Sequence, residues 1–230
     1  MIKENVKQWF IDSVKLFDDL NVNDKTALQN VFTEKIYNKN DFLFLQGDEM
    51  KEFIFVNAGR VKIIKNGENG KESIKRILNE GDYYGEKAVL DPEHFSTHNN
   101  TGKVLDKDTV VFSIPVEELK HLCEAYPIIY KKIVKKMMAN YHRLDKRIES
   151  VMLKNSKDRI IDFLKEMAED IGKPVGYEML IKHNLTHQEI ANITGISRQK
   201  VTTILNEFKQ QGLIHLERNA ILVHDLDLLR

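Results

Sequence analysis

The sequence has few of the residues that mark several classes of protein. Its 230 residues include one cysteine, four prolines, 11 glycines and one tryptophan. A single thiol, Cys123, excludes an internal disulfide and any metal or iron–sulfur site that takes three or four thiolates from one chain. Charged residues recur throughout the first thirty positions, which argues against a signal peptide or an apolar membrane span. We therefore expect a cytoplasmic protein with no membrane partner.

The net charge conceals a difference between two parts of the chain. The whole sequence has 35 basic and 35 acidic side chains, and 42% of its residues are hydrophobic, enough for a globular core. Residues 1–127 carry 17 lysines and arginines against 22 acidic residues, a net charge of −5, whereas residues 128–230 carry 18 against 13, a net charge of +5. A basic second part predicts a polyanionic partner carrying phosphates, although solvated helix faces give the same charge pattern.

The first part of the chain changes from helical to strand-like patterning. Apolar residues at helical intervals predict short helices between Met1 and Phe32. From Asp41 onward, short apolar runs alternate with turns rich in glycine, asparagine and aspartate. These runs predict strands at Phe42–Leu45, Phe53–Val56, Val61–Ile64, Ile74–Leu78 and Thr109–Ile114. Because strands and helices do not alternate, the pattern favours an α+β protein with an N-terminal antiparallel β-roll, like a cupin jelly roll, over a doubly wound nucleotide-binding fold.

A long helix is predicted after the roll, from Pro127 to about Lys154. Apolar residues recur along it every three or four positions and form a narrow seam, while basic side chains fill the other faces. Such a seam is typical of a two-stranded coiled coil between subunits, and packing of the helix on the roll is the alternative. The seam residues are Ile133, Met137, Tyr141, Leu144 and Ile148. Asn155 is a candidate cap for a further helix, Asp158–Glu169, so a hinge is predicted there.

Residues 186–205 have the pattern of a helix-turn-helix. Thr186 and Glu189 form a T-x-x-E capping box at the start of one helix, and Ser197 is a candidate cap for the second. Ala191 is small where the two helices cross, and Gly195 tolerates a positive φ in the turn. An ordinary αα-hairpin is the alternative interpretation.

The residues after this pair of helices predict a winged module. Leu213–Leu216 and Ala220–Val223 flank a polar turn and read as a hairpin. In a winged helix-turn-helix, the second helix presents its exposed side to the major groove of DNA. The side chains predicted there are Arg198, Gln199, Lys200 and Thr203.

The order of roll, long helix and winged module resembles the CRP/FNR family of bacterial transcription regulators over nearly the whole chain. The motifs that carry the resemblance are Gly47, Phe53–Gly59, Gly81-Asp82, Gly85-Glu86 and the run from Thr186 to Arg198. The resemblance implies a sensing domain at residues 1–127, a dimerisation helix at 128–154 and a DNA-binding domain at 155–230. It also implies a homodimer that binds a small effector in the roll, an inverted repeat in double-stranded DNA, and RNA polymerase.

The effector site differs from that of the cAMP-binding relatives. By resemblance, Gly85 and Glu86 occupy the place of the pair that contacts the ribose, but Ser96 and Thr97 stand where those relatives have an arginine and a serine for the phosphate. Without the arginine, the bidentate clamp for a phosphate is lost. On the long helix, Asn140 replaces another arginine and Leu144 replaces a polar residue of the adenine contact. Cyclic AMP is therefore not the expected effector, and a structural role for Gly85 and Glu86 is favoured.

Other sensing chemistries have weak support in the sequence. The cysteine count excludes an iron–sulfur cluster within one chain, and a haem would need His94, His98 or His142 as an axial ligand. A cupin-like metal enzyme would need clustered histidines, which His94 and His98 only approach. Cys123 lies on an apolar helix face typical of a core residue. We expect no metal site and no enzymatic activity, with a regulator that needs no effector as an alternative.

The resemblance also assigns roles on DNA. Arg198 stands at the position of the family's guanine reader, while Gln199 replaces a glutamate and Thr203 replaces a second arginine. These replacements predict a half-site poorer in G·C pairs than the family's usual sequence. The start of the first helix is expected to hold phosphates through Thr186, His187 and Gln188, and Ser197 caps the second helix.

Overall fold

The chain divides into two units. The computed structural model describes residues 2–67, 72–226, 228 and 229, and its two compact units are Met1–Tyr141 and His142–Arg230. The division falls within the longest helix, so this helix contributes residues to both units. Met1, the first residue of the predicted helical segment, lies outside the described residues.

The first unit is a β-roll with helices at both of its chain ends. Its helices are α1 (Ile2–Ser13), a 3-10 turn (Lys15–Phe17), α2 (Val22–Val31), α3 (Glu86–Leu90), α4 (Val116–Ala125) and the first part of α5 (Ile128–Leu153). Its strands are β1 (Thr33–Tyr37), β2 (Phe42–Phe44), β3 (Glu52–Ala58), β4 (Val61–Asn66), β5 (Glu72–Leu78), β6 (Tyr83–Tyr84), β7 (Thr101–Val104) and β8 (Thr109–Pro115). The α+β class and the antiparallel roll predicted from the sequence are confirmed.

Two antiparallel sheets form the roll. Their strand orders are β1-β8-β3-β6 and β2-β7-β4-β5. Apolar side chains from both sheets meet between them, including Phe44, Ile54 and Leu78. A second core joins the roll to its helices through an aromatic cluster, in which Phe10 stacks on Phe112 at a centroid distance of 4.1 Å. Strand β3 contributes to both cores, since Ile54 lies in the core between the sheets and Phe53 in the core with the helices.

Three strands of the roll were not predicted, which are β1, the two-residue β6 and β7. The segment Thr33–Tyr37 has two charged residues among five, and Thr101–Val104 contains Gly102 and Lys103. Both gain their strand conformation by pairing with distant strands, β1 with β8 and β7 with β2 and β4. Such long-range pairing overrides weak local propensity. At Gly102 a Cβ would lie 2.6 Å from the Phe44 ring, so glycine is required by close packing.

The helix α5 begins directly after Pro127, as predicted, and ends at Leu153. Its first part packs on the roll: Ile129 and Ile133 are fully buried in the core with α1, α2 and α4. The Lys136 ammonium also donates to the Asp82 carboxylate at 2.6 Å. The prediction that Ile133 lies in a seam between subunits is therefore wrong, because its side chain is covered by its own chain.

The second unit contains the rest of α5, three further helices and a four-stranded sheet. Its elements are α6 (Ser156–Ile171), β9 (Gly172–Val175), β10 (Glu178–Lys182), α7 (His187–Thr194), α8 (Arg198–Gln210), β11 (Ile214–Glu217) and β12 (Ala220–Val223). Asn155 caps α6, accepting from the backbone N–H groups of Lys157 and Asp158, as the sequence predicts. The strand order is β11-β12-β10-β9. The predicted hairpin is thus present, with its first strand shifted by one residue, and β9 and β10 extend it.

No described helix combines the length and apolar character needed to cross a membrane.

Candidate nucleic-acid interface

The start of α7 is fixed by a capping box. The Thr186 hydroxyl accepts from the Glu189 N–H at 3.2 Å, and the Glu189 carboxylate accepts from the Thr186 N–H at 2.9 Å. Two backbone donors of the first turn are thereby satisfied. The capping box predicted from the sequence is confirmed.

The turn between α7 and α8 has the predicted conformation. Gly195 has a φ of +71°, and its N–H donates to the Ala191 carbonyl at 2.9 Å. A Cβ at Gly195 would meet no atom closer than 3.8 Å, so the positive φ rather than lack of space favours glycine. Ser197 then caps α8 by accepting from the Lys200 N–H at 3.2 Å. These local contacts set the start of the second helix.

Helix α8 has one buried face and one exposed face. Val201, Ile204 and Phe208 are buried on the side that faces the unit's interior. The four side chains predicted to meet DNA are exposed, Arg198, Gln199 and Lys200 in the first turn and Thr203 on the side away from Val201. An exposed row of donors and acceptors on a helix is what reading of base edges in a major groove requires. The placement of these residues agrees with that role.

The three residues predicted to hold phosphates have other contacts within the unit. The Thr186 hydroxyl is used in the cap, His187 Nδ1 lies 2.8 Å from the Thr202 hydroxyl, and Gln188 donates to the Asn192 side chain at 2.9 Å. Thr202, which no sequence pattern indicates, therefore links α8 to the start of α7. Each of these side chains is still exposed or only partly buried.

The basic residues on the other faces of α5 are not all directed into solvent. In the second unit, the Arg143 guanidinium donates to both carboxylate oxygens of Asp170, at 2.7 and 3.1 Å. Arg147 is partly buried and donates to backbone carbonyls of α7. The sequence did not predict these contacts, because periodicity places an arginine on a polar helix face whether or not another element packs against that face.

The seam predicted on α5 is exposed in its C-terminal part only. Tyr141, Leu144 and Ile148 are 63%, 49% and 50% exposed, and Met137 is partly buried against the roll's core. Further exposed apolar residues continue the same side of the helix: Val134, Met138, Val151 and Met152. From here on, the seam means its exposed part in the second unit, which consists of Leu144, Ile148 and Val151. Its spacing of three and four residues matches a coiled-coil surface.

The pair Gly85-Glu86 has internal contacts in the roll. Gly85 has a φ of +121°, and a Cβ there would lie 3.1 Å from the Phe53 Cα. Glu86 is 5% exposed, and its carboxylate accepts from the Gly85 N–H at 3.1 Å and pairs with Arg76 at 3.2 Å. Both residues therefore stabilise the turn in which they lie.

The other predicted effector residues are dispersed. Ser96 and Thr97 are exposed and pair with the segment Glu49–Met50, with Met50 N–H donating to the Ser96 carbonyl at 2.8 Å. Asn140 is partly buried in the first unit, and its Nδ2 has no partner among the described residues. Leu144 lies in the second unit and is half exposed.

A separate cavity of about 180 Å³ opens in the roll among β1, β2, β3 and β8. Its walls include Tyr37, Phe44, Ile54 and His98, with Glu52 among the charged residues at its edge. His98 is 4% exposed, stacks on Phe44 at 3.9 Å, and its Nδ1 has no partner in the described part of the chain. Burial lowers the pKa of His98 to about 4. The cavity is thus lined by aromatic rings and a neutral imidazole together with charged side chains such as Lys35 and Asp48.

The three histidines considered as haem ligands have different environments. His94 is exposed and lies 2.9 Å from the Asp91 carboxylate, His98 is buried in the aromatic stack, and His142 is exposed. Among the residues that the structure describes, no group of three or more histidine, cysteine or acidic side chains is arranged to hold a metal ion.

Cys123 is fully buried on α4, as predicted for a core residue. Burial raises the pKa of its thiol to about 12. We expect alkylation of Cys123 near neutral pH to be at least about a hundredfold slower in the folded protein than in denaturant, because only the thiolate reacts. Iodoacetamide labelling followed by mass spectrometry measures both rates. Fast labelling of the folded protein would instead identify Cys123 as a candidate redox switch.

Comparison with known proteins identifies two families on the chain. Residues 34–126 match the family described as a cyclic nucleotide-binding domain, and residues 158–230 match a Crp-like helix-turn-helix domain. The first match covers the roll, and the second covers α6 through the winged sheet.

Relatives match over most of their length. The chain is 24% identical over 187 residues to the CRP-like cAMP-activated global transcriptional regulator of Mycobacterium tuberculosis, covering 81% of this chain and 82% of the relative. It is 24% identical over 214 residues to electron transport regulator A of Shewanella oneidensis, covering 91% and 84%. A solved mutant of CooA from Carboxydothermus hydrogenoformans has a TM-score of 0.76 at 23% identity, with 94% of both chains covered. The last comparison shows the fold.

Proposed function

Because the chain belongs to the CRP/FNR family of transcription regulators, we propose that it acts as a homodimer on an inverted-repeat operator. It carries the family's DNA-binding helix-turn-helix domain, and regulators of this family generally dimerise. The observation that carries the proposal is the exposed first turn of α8, where Arg198, Gln199 and Lys200 are open to solvent just before the buried Val201.

Dimerisation through the seam fits the exposure of α5. A solvent-exposed row of apolar side chains on a long helix is stabilised by pairing with a second copy. In a parallel pair, two α8 helices related by the dimer axis would reach major grooves about 34 Å apart on one side of the duplex. The proposed division of labour is sensing by residues 1–127, dimerisation by 128–154 and DNA binding by 155–230.

The effector that we propose is a small molecule other than cAMP. The Glu86 carboxylate is already engaged by Arg76 and the Gly85 N–H, and Ser96 and Thr97 supply no cation for a phosphate. The cavity beside His98 is a candidate place for a compact ligand with aromatic and polar parts, because its walls combine aromatic rings with charged side chains such as Lys35 and Glu52.

A regulator that needs no effector is the second candidate. It is favoured by the same internal contacts of Glu86, which leave the turn at Gly85 complete without a ligand. With or without an effector, we propose that the protein is cytoplasmic and has no catalytic activity. When bound to its operator, it is proposed to contact RNA polymerase.

Selection from random duplexes tests the proposed function. The protein is expected to enrich an inverted repeat whose half-sites are centred one helical turn apart and are poor in G·C pairs. Binding to the selected duplex, measured by fluorescence anisotropy, is expected to be unchanged by added cAMP. Enrichment of no inverted repeat would contradict the proposed dimeric operator. An affinity that rises with cAMP would contradict the proposed effector class.

A further inference from the structure

The C-terminal part of α5 carries a polar stripe directed at α6. The stripe consists of Arg143, Arg147, Ser150 and the following Lys154, at spacings of four, three and four residues that place them on one face. Arg143 binds Asp170 through both of its terminal nitrogens, as described above. The Ser150 hydroxyl donates to the Asp162 carboxylate at 2.6 Å, and the Lys154 ammonium donates to the same carboxylate at 2.9 Å. Three of the four side chains thus attach α5 to α6.

Arg147, the remaining residue of this stripe, contacts α7. Its Nη2 donates to the Asn192 carbonyl at 3.4 Å and to the Ile193 carbonyl. These carbonyls belong to the last turn of α7, where helical carbonyls have no partner within the helix and a cation is favourable. Burial lowers the pKa of Arg147, and the nearby Glu166 carboxylate of α6 opposes that shift. Two residues beyond Ile193, the chain enters the Gly195 turn and then α8.

The exposed seam lies beside this stripe on the same helical turns. Leu144 and Ile148 are each within one turn of Arg147, and both are half exposed. Residues three or four positions apart on a helix have Cβ atoms about 5–6 Å from each other, and a helix is stiff over that distance. Any movement of the α7–α8 pair relative to α5 changes how the exposed face of α8 is aimed with respect to the seam.

We propose that Arg147 is a positioning residue that sets the angle between the recognition face of α8 and the seam, and through it the spacing of the half-sites that a dimer accepts. The inference rests on the proposed function, because it requires pairing along the seam. The planar guanidinium suits this role, since it offers several donors in a fixed fork, whereas a lysine offers one flexible ammonium.

The test compares a full inverted repeat with a single half-site, both taken from the selected operator. In a dimer, the second half-site adds affinity only if both recognition helices reach their grooves together. Arg147→Ala is expected to lower affinity for the full site by at least about tenfold while lowering affinity for the half-site less than about threefold. Repeating the selection with this variant is expected to return a wider range of spacer lengths.

Two further variants separate positioning from folding. Lys146→Ala removes an exposed neighbouring charge on α5 and is the matched control, expected to keep the ratio of full-site to half-site affinity. Arg147→Lys keeps the charge and is expected to fold like the parent in thermal unfolding while losing part of that ratio. An equal loss on both duplexes, or an unchanged ratio and spacing in both Arg147 variants, would overturn the role of Arg147. A parent protein that binds the half-site as tightly as the full site would overturn both proposals.

Discussion

A variant carrying Leu144→Glu and Ile148→Glu is expected to be monomeric and to lose tight binding to the full operator. Both side chains are half exposed on α5 of a single chain, so the substitutions leave the fold of that chain intact. In a dimer paired along the seam, the two substitutions place four carboxylates in one interface. Removing each from water costs several kcal/mol without a partner of opposite charge. Light scattering during size-exclusion chromatography measures the mass directly.

Two controls make this result specific to the seam. Val22→Glu changes an apolar residue that is 77% exposed on α2, and this variant is expected to keep the parent's dimeric mass. Ile133→Glu is expected to unfold the roll rather than to dissociate a dimer, because Ile133 is fully buried and a charge there has no partner. A dimeric mass for the double variant would rule out pairing through the seam.

The features predicted correctly from the sequence are those that depend on contacts between residues close in the chain. Thr186 and Glu189 satisfy each other's backbone donors across three residues, and Asn155 and Ser197 cap the helices that they precede. Gly195 adopts the positive φ that the turn requires. Because the partners lie within one helical turn, residue type and spacing suffice to predict them.

The features missed depend on partners far away in the chain. Ile133 fits a seam by periodicity, but its burial depends on α1, α2 and α4, which the period of α5 does not specify. The strand β9 contains Gly172 and Pro174 and is held at the edge of its sheet by β10. Arg147 looks like a solvated cation until α7 is placed beside it. Periodicity predicts which residues share a helix face but not what that face meets.

Arg198 is expected to determine which base is preferred at one position of each half-site. Arg198 is exposed in the first turn of α8, where its guanidinium can donate to guanine O6 and N7 together. Arg198→Ala is expected to cost about 1–3 kcal/mol on the selected operator and to remove the preference for guanine at one position of each half-site. Gln199 both donates and accepts, so the adjacent position is expected to favour adenine.

Lys200→Ala is the matched comparison, because Lys200 is exposed two residues after Arg198 in α8. Its ammonium carries a positive charge but lacks the planar guanidinium that donates to two base atoms at once. Its loss is expected to weaken binding to all duplexes similarly and to reduce the slope of log affinity against log salt by about one. The Arg198 variant should instead change which base is selected. Competition assays with single-base substitutions of the operator, repeated at several salt concentrations, separate the two effects. An Arg198→Ala variant that still discriminates guanine at every position would show that another side chain reads that base.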